Sequence, residues 1–337
     1  MVYKVIVGID QSKLRIDVGL MQVSNPAQLM MEQFENNSKG FMQVIRWIKK
    51  QSSCLMSEVL ICTEHTGLYS YPLCVFCQEN GIALWMESAL QIKQSLGIQR
   101  GKNDRADARR IAQYAFAQRH KVCLYELPAK TLLALKQLLS YRERLVESRK
   151  SFQTPKKELK EFKADLSGMI IKESDSLLKT IDRKIEKVNE TMLQLVKADA
   201  TLNKQYELIN TVPGIGTITA IYLLVYTNGF TRFRTWRQFA CYCGIAPFDY
   251  SSGTSIKGKT RVSHLANKKL KSILTLCALA MIKTDNELKQ YYERRKAEGK
   301  NSMSVINVVR NKLVSRVFAV IRRDTAYIPA TEYYQAA

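Results

Sequence analysis

Four carboxylates occupy positions from which they could do chemistry together. Asp10 directly follows the apolar run Val5–Ile9, and Glu64 directly follows Val59–Thr63. Side chains at strand ends emerge at the edge of a sheet rather than in its core, which is where ligands collect. Asp104 and Asp107 stand three apart at the start of an expected helix, so they share a face and can share one hard cation. Gathered carboxylates repel one another unless a divalent ion such as Mg²⁺ or Mn²⁺ compensates. Taken singly, Asp104 also reads as a helix N-cap, with Asp107 in the first turn favouring the helix dipole.

A second set of candidates lies in the last third of the chain. The run Val212-Pro-Gly-Ile-Gly-Thr-Ile-Thr-Ala220 reads as a turn between helices, in which Gly214 and Gly216 could leave backbone N–H groups free for a phosphate. An ordinary helix–helix turn uses glycine in the same way. Arg232, Arg234 and Arg237 follow, interleaved with Phe230, Phe233 and Trp236. Aromatics at that spacing more often serve a core, whereas the arginines suit phosphates. Next comes Pro247-Phe-Asp-Tyr-Ser251-Ser252-Gly253-Thr-Ser255, overlapping a Gly/Ser-rich loop expected from Tyr250 to Gly258. It is trailed by Lys257, Lys259 and Arg261, then by Lys268 and Lys269 on a basic helix after Asn267. Ser-Ser-Gly is a common surface turn; as a nucleophile, serine would need a base, a metal or flanking cations.

The elements that must position these residues follow from periodicity. Strands are expected at Val5–Ile9, Asp17–Val23 and about Leu29–Phe34, forming a meander. A helix opening at Ser38, a strand at Val59–Thr63, a helix near Tyr71–Glu79, a strand at Ile82–Met86 and a helix at Arg105–Arg119 then alternate, which describes a mixed sheet covered by helices. From about Pro128 to Lys204 the pattern turns to long helices. Leu178, Ile181, Ile185, Val188, Met192 and Leu195 form a coiled-coil seam against Leu132, Leu135, Leu139 and Val146, with Pro155 and Gly168 marking the break between two arms. A final helix is expected at Leu265–Ile282.

Composition narrows the partners. The formal net charge is +22 over 337 residues, a value that points to a polyanion. Residues 1–206 carry 32 basic against 22 acidic residues and residues 207–337 carry 20 against 8, so the C-terminal part is the stronger candidate for phosphate contact. No apolar run is long enough for a membrane span and MVYKVIVGID reads as a strand rather than a signal peptide, so a cytoplasmic, nucleoid-associated location is expected. Of eight cysteines, Cys62, Cys74, Cys77, Cys241, Cys243 and Cys277 sit in apolar surroundings typical of buried free thiols, without zinc-knuckle spacing.

Taken in order, Gly8-Ile-Asp10, Thr63-Glu64-His65-Thr-Gly67 and Gly101-Lys-Asn-Asp104-Arg-Ala-Asp107-Ala resemble the DEDD transposases of bacterial insertion sequences. The resemblance implies an α/β plus α chain: an RNase H-like (RuvC-like) mixed-sheet domain at 1–127, a helical coiled-coil arm at 128–204, and a mostly helical C-terminal transposase domain at 205–337 with a helix-hairpin-helix-like turn. It implies Asp10, Glu64, Asp104 and Asp107 as Mg²⁺ (or Mn²⁺) ligands and, as the serine preceding a glycine, Ser252 as the nucleophile. It further implies donor and target DNA duplexes chosen by a structured bridge RNA, and a dimer or tetramer. Ala266 stands where such proteins usually carry glycine. Rival readings are a pilin-inverting type of site-specific invertase, a metal-dependent junction nuclease in which Ser252 is dispensable, and a nucleic-acid-packaging protein.

Overall fold

The computed structural model describes residues 3–95, 97, 104–162, 167–252, 256–284 and 286–329. The chain divides into two compact units, Met1–Leu127 and Pro128–Ala337.

The first unit opens with three antiparallel strands, β1 (Val5–Gln11), β2 (Arg15–Gln22) and β3 (Asn25–Glu35). Then come α1 (Ser38–Gln51), β4 (Val59–Glu64), α2 (Tyr71–Glu79), β5 (Ala83–Glu87), α3 (Ala89–Ser95) and α4 (Asp104–Ala117). The sheet order is β3-β2-β1-β4-β5, with β4 parallel to both β1 and β5. Antiparallel neighbours need only short turns, whereas each parallel pair requires a crossover, and here α1 and α2 supply them. The first unit is therefore α/β, a mixed five-stranded sheet with helices packed on both faces.

Strand alternation sorts the side chains onto two faces. Val5, Val7, Ile9, Val59 and Ile61 pack with Phe41, Val44 and Ile48 of α1 and Leu73 of α2. Ile6, Leu60, Cys62 and Trp85 pack with Ile111, Tyr114 and Ala115 of α4. At Gly8 the helix comes so close that a Cβ would lie 2.3 Å from the Ala112 nitrogen and 2.5 Å from the Ala108 oxygen. Glycine is needed there because helix backbone fills the space.

The second unit begins with two long helices, α5 (Lys130–Phe162) and α6 (Ser167–Ala198). Arg142 Nε donates to Asn189 Oδ1 at 2.7 Å and Arg149 pairs with Asp182 at 2.5 Å. Lys156 pairs with Asp175. Each partner pair steps by seven residues in opposite directions, so the helices run antiparallel. Pro155 does not break α5, which continues to Phe162; the cost is one missing intrahelical donor. Toward its C-terminal end α6 buries Val188, Met192 and Val196 while Leu195 is only half-buried, because there the helix also packs on the remaining helical core.

That core holds α7 (Ala200–Asn210), α8 (Thr217–Thr227) and α9 (Trp236–Tyr242). A hairpin follows, β6 (Pro247–Ser252) and β7 (Ile256–Val262). The chain continues with α10 (Lys268–Thr284), α11 (Asn286–Ala297) and α12 (Ser302–Arg323). The expected Gly/Ser loop is thus mostly strand: Ser251 pairs with Lys257 and Ser252 with Ile256. Tyr222, 1% exposed, donates to Glu143 at 2.6 Å and so ties α8 to α5.

Replacing Gly8 with alanine forces α4 off the sheet and is expected to cost about 1–3 kcal/mol. Gly168→Ala is expected to stabilise α6 slightly, since Gly168 is helical with nothing within 4 Å of its added Cβ. Urea denaturation midpoints of the two variants check the contrast.

Candidate functional site

The register of the central strands brings two of the expected carboxylates side by side. Ile9 on β1 is the partner of Thr63 on β4, and Asp10 and Glu64 each come one residue later. Neighbouring strands are roughly 4.8 Å apart. Thr63 Oγ1 donates to the Ile9 carbonyl at 2.9 Å in a buried cross-strand bond, which fixes the register next to the acids. Asp10 lies two residues beyond Gly8, and Glu64 two beyond Cys62, so both share the α4 face. Asp10 belongs to β1 itself rather than following it.

Two further acids stand in the same row. Asp17 of β2 is the partner of Asp10, and Glu87 of β5 is the partner of Glu64. Gln33 donates to both Asp17 carboxylate oxygens, at 3.3 and 3.1 Å. Glu87 accepts from the Ser88 nitrogen at 2.8 Å and from the Tyr114 hydroxyl at 2.9 Å. Burial first, then the bond to Glu87, hold the Tyr114 hydroxyl well above the usual phenol range, so it stays a donor. Through it, β5 is clamped to α4. Neither acid was singled out from sequence, because only strand pairing shows that they join the row.

Asp104 opens α4, and Asp107 lies one residue before Ala108, whose carbonyl faces Gly8 and Gly19. The first turn of α4 therefore sits over β1 and β2. The Asp107 carboxylate pairs with Arg110 at 2.6 Å, while the Asp104 side chain is outside the described set. Among the described residues, no three His, Cys, Asp or Glu side chains are gathered so as to hold a metal ion. The Thr63-Glu64-His65-Thr66-Gly67 segment also has a local role. His65 Nδ1 accepts from the Gly67 nitrogen at 3.1 Å, and Thr66 N donates to Ser70 Oγ at 3.1 Å, shaping the turn into α2.

In the second unit, Ser252 is the last residue of β6; its side chain and residues 253–255, hence Gly253 and Ser255, lie outside the described residues. The side chains of Lys257 and Lys259 lie outside them as well, while Arg261 is exposed on β7. The segment leading into β6 is held firmly. Asn307 and Asn311 of α12 both donate to the Ile245 carbonyl, at 2.8 and 2.9 Å. Between them sits Arg310, 4% exposed, whose Nε has no hydrogen-bond partner among the described residues. Sequence reading missed Arg310, since one arginine in a helix carries no spacing signal.

The expected phosphate contacts divide into several kinds. Arg232 stacks over Phe233 and Tyr242, at 5.2 and 4.8 Å from the ring centroids, and Arg237 over Trp236 at 5.0 Å. Arg234 is exposed. A left-handed run, Asn228 (φ 52°), Gly229 (φ 59°) and Phe230 (φ 63°), turns the chain so that Phe230 packs on Phe318 ahead of these arginines. Lys268 is exposed, but Lys269 pairs with Glu143 at 3.7 Å. Gly214 (φ 81°) faces α10, where a Cβ would meet Met281 Cγ at 2.3 Å; its glycine identity is explained by packing. Gly216 caps α8 with open space around it, so the N-terminus of that helix is where an anion could approach.

The cysteines are free thiols among the described residues, and burial pushes Cys74, Cys77 and Cys243 up to about 12, which makes them poor nucleophiles and poor metal ligands. No helix among the described residues is long and apolar enough to cross a membrane.

A model of DEDD-type transposases matches residues 7–160, and a model of the IS116/IS110/IS902 transposase family matches residues 206–293. Carboxylates on a mixed sheet followed by this second matched region define a transposase of insertion sequences. Among these, the chain belongs to the IS110-type DEDD family. It is 26% identical to the pilin gene-inverting protein of Moraxella bovis, over 87% of this chain and 89% of that one. It is 25% identical to the IS1111A transposase of Coxiella burnetii, over 68% and 69%. The solved structure of T. thermophilus RuvC in complex with a Holliday junction substrate superposes on 36% of this chain and 100% of its own, with 14% identity and a TM-score of 0.28.

Tyr114→Phe removes the clamp between β5 and α4 and leaves part of a carboxylate unsatisfied. It is expected to lower stability by about 1–2 kcal/mol; chemical denaturation followed by far-UV circular dichroism measures it.

Proposed function

We propose that this transposase cuts and rejoins DNA using a carboxylate-held Mg²⁺ (or Mn²⁺) in the first unit and Ser252 in the second. The observation that carries the reading is the pairing of β1 with β4, which sets Asp10 beside Glu64 on the face covered by α4. The donors suit a hard cation, being carboxylate oxygens alone on adjoining strands and in the first turn of a helix. Asp10, Glu64 and Asp104 would hold the ion, with Asp107 completing the set once Arg110 releases it. When bound, the ion would polarise the scissile phosphate and offset charge on the attacking and leaving oxygens.

Ser252 does the covalent work in this reading. Its oxygen attacks the phosphorus as its proton departs to solvent or a nearby base, and the bond from phosphorus to one sugar oxygen breaks, leaving a DNA hydroxyl. The serine phosphodiester keeps the bond energy, so attack by another DNA hydroxyl rejoins a strand and frees the serine without ATP. Arg232, Arg234, Arg237, Lys257, Lys259, Arg261 and Lys268, together with the α8 terminus at Gly216, would neutralise backbone phosphates. Lys269 would do so only by leaving Glu143, and Gly214 serves by shaping the turn. Because carboxylates and serine lie in different units, a dimer or tetramer in which the paired α5 and α6 act as an oligomerisation arm would bring them to two duplexes. A bridge RNA from the element would select those duplexes by base pairing, consistent with the +22 charge.

Inversion of a DNA segment is the second reading, favoured by the similarity to the pilin gene-inverting protein across most of both chains. It uses the same chemistry on sites within one molecule.

Stopping a reaction in denaturant and digesting with protease is expected to release a peptide containing Ser252 linked to nucleotide. Ser252→Ala should lose that adduct and at least about a thousandfold in recombination while keeping DNA binding. Asp10→Asn should lose strand cleavage with folding intact. An adduct on Ser251 or Ser255 would move the nucleophile. Full recombination by all three serine variants would make the enzyme hydrolytic or dependent on a 3′ hydroxyl.

A further inference from the structure

Away from the β6–β7 hairpin, the second unit carries a groove of about 550 Å³. Its walls are Trp236 of α9, Lys312, Arg316 and Arg323 of α12, and Tyr327 and Ile328 just beyond α12. The three cations recur at i, i+4 and i+11, so helix geometry alone aligns them on one stripe. Glu287 is the acid in the wall, and it is shared: it lies 3.5 Å from Lys312 and 3.7 Å from Arg316. Among the described wall residues one carboxylate stands against three cations, and Arg323 has no acidic partner among the described residues.

The aromatic rings are set among these charges. Arg316 lies 5.1 Å over Tyr327, and Arg237 lies 5.0 Å over Trp236. Flat apolar rings in the same groove as Arg323 complement a ligand that is both flat and anionic. A duplex offers phosphates but keeps its bases stacked inside, and an acidic peptide offers charge without a flat ring to stack. An unpaired nucleotide offers both, and stacking on aromatics is tolerant of base identity. The volume falls within the range of about 300–1,000 Å³ typical of small-ligand sites.

Building on the reading of this chain as a nucleic-acid enzyme, we propose that the groove between α9 and α12 binds an unpaired nucleotide of a DNA or RNA strand. The base stacks against Trp236 or Tyr327, and the flanking phosphate meets Arg323 and Lys312. Neither the β6–β7 hairpin nor the carboxylates of the sheet contribute to the described lining of the groove, so it holds a strand rather than cutting it.

The test is fluorescence anisotropy on the full chain with labelled hexathymidylate, hexauridylate and a duplex of about twenty base pairs at one salt concentration. Arg323→Gln and Tyr327→Ala are each expected to weaken hexamer binding by about tenfold and duplex binding by less than about twofold. Trp236→Ala should act in the same direction and Trp236→Phe should retain binding. Should Trp236→Ala fail to fold by circular dichroism, the Arg323 and Tyr327 variants decide alone. Stronger loss on hexauridylate identifies RNA as the source of the strand, and equal loss shows that the groove reads base and phosphate without the 2′ hydroxyl. Unchanged hexamer affinity in both variants, or hexamer and duplex affinity falling together, overturns the proposal. Duplex binding by the wild type without hexamer binding sinks the groove alone, whereas absence of both sinks the underlying reading of the enzyme.

Discussion

Like charges held side by side are the constraint on which the first unit depends. Asp10 and Glu64 cannot move apart, because Ile9 and Thr63 are locked in register and Thr63 bonds the Ile9 carbonyl across the strands. Nor can α4 move away with its acids, because Ala108 and Ala112 rest on Gly8 and Tyr114 holds Glu87. The fold thus sets Asp17, Asp10, Glu64 and Glu87 in one row across four strands. Outer members of the row are quieted by neutral donors, Gln33 for Asp17 and Tyr114 with Ser88 for Glu87. A cation reaching this row would be drawn to it by the shared charge of the acids.

In the second unit the constraint is instead the anchoring of the segment that leads into the β6–β7 hairpin. The Ile245 carbonyl is gripped by two asparagines of α12, and Gly244 (φ 65°) passes so near Ala266 that a Cβ would lie 2.3 Å from the alanine methyl. Buried polar bonds of this kind specify one arrangement, since each broken partner would leave an unsatisfied group. Glu143 performs a similar service, accepting from Tyr222 and pairing with Lys269, so that α5, α8 and the basic start of α10 are joined.

Much of this was readable beforehand, for physical reasons that also mark where reading stopped. Val5–Ile9, Val59–Thr63 and the helix after Asp104 carry strong periodicity, and the structure places strands and a helix there with ends shifted by only a residue or two. Adjacency of Asp10 and Glu64 needed strand pairing, a non-local fact, and so did the roles of Asp17 and Glu87. Ser, Gly and Thr hid β6 and β7, because such residues signal turns and the hairpin is held by cross-strand pairing instead. Pro155 misled in the same way, as the packing of α5 on α6 outweighs one lost hydrogen bond. Gly214 drew attention as a phosphate-binding glycine, whereas its neighbour Met281 shows a packing requirement. Arg310 and the cationic stripe of α12 escaped notice since a helix of mixed composition does not reveal which face is covered.

Iron-directed cleavage tests most directly whether the row of acids is a single cation site. Fe²⁺ with ascorbate and peroxide cuts polypeptide near the bound ion, and the fragments can be mapped by mass spectrometry. Cuts clustered around Asp10, Glu64 and the first turn of α4, suppressed together by excess Mg²⁺ and absent in Asp10→Asn, are the expected result. Cuts confined to one of these segments, scattered along the chain, or unaffected by Mg²⁺ would contradict a shared site.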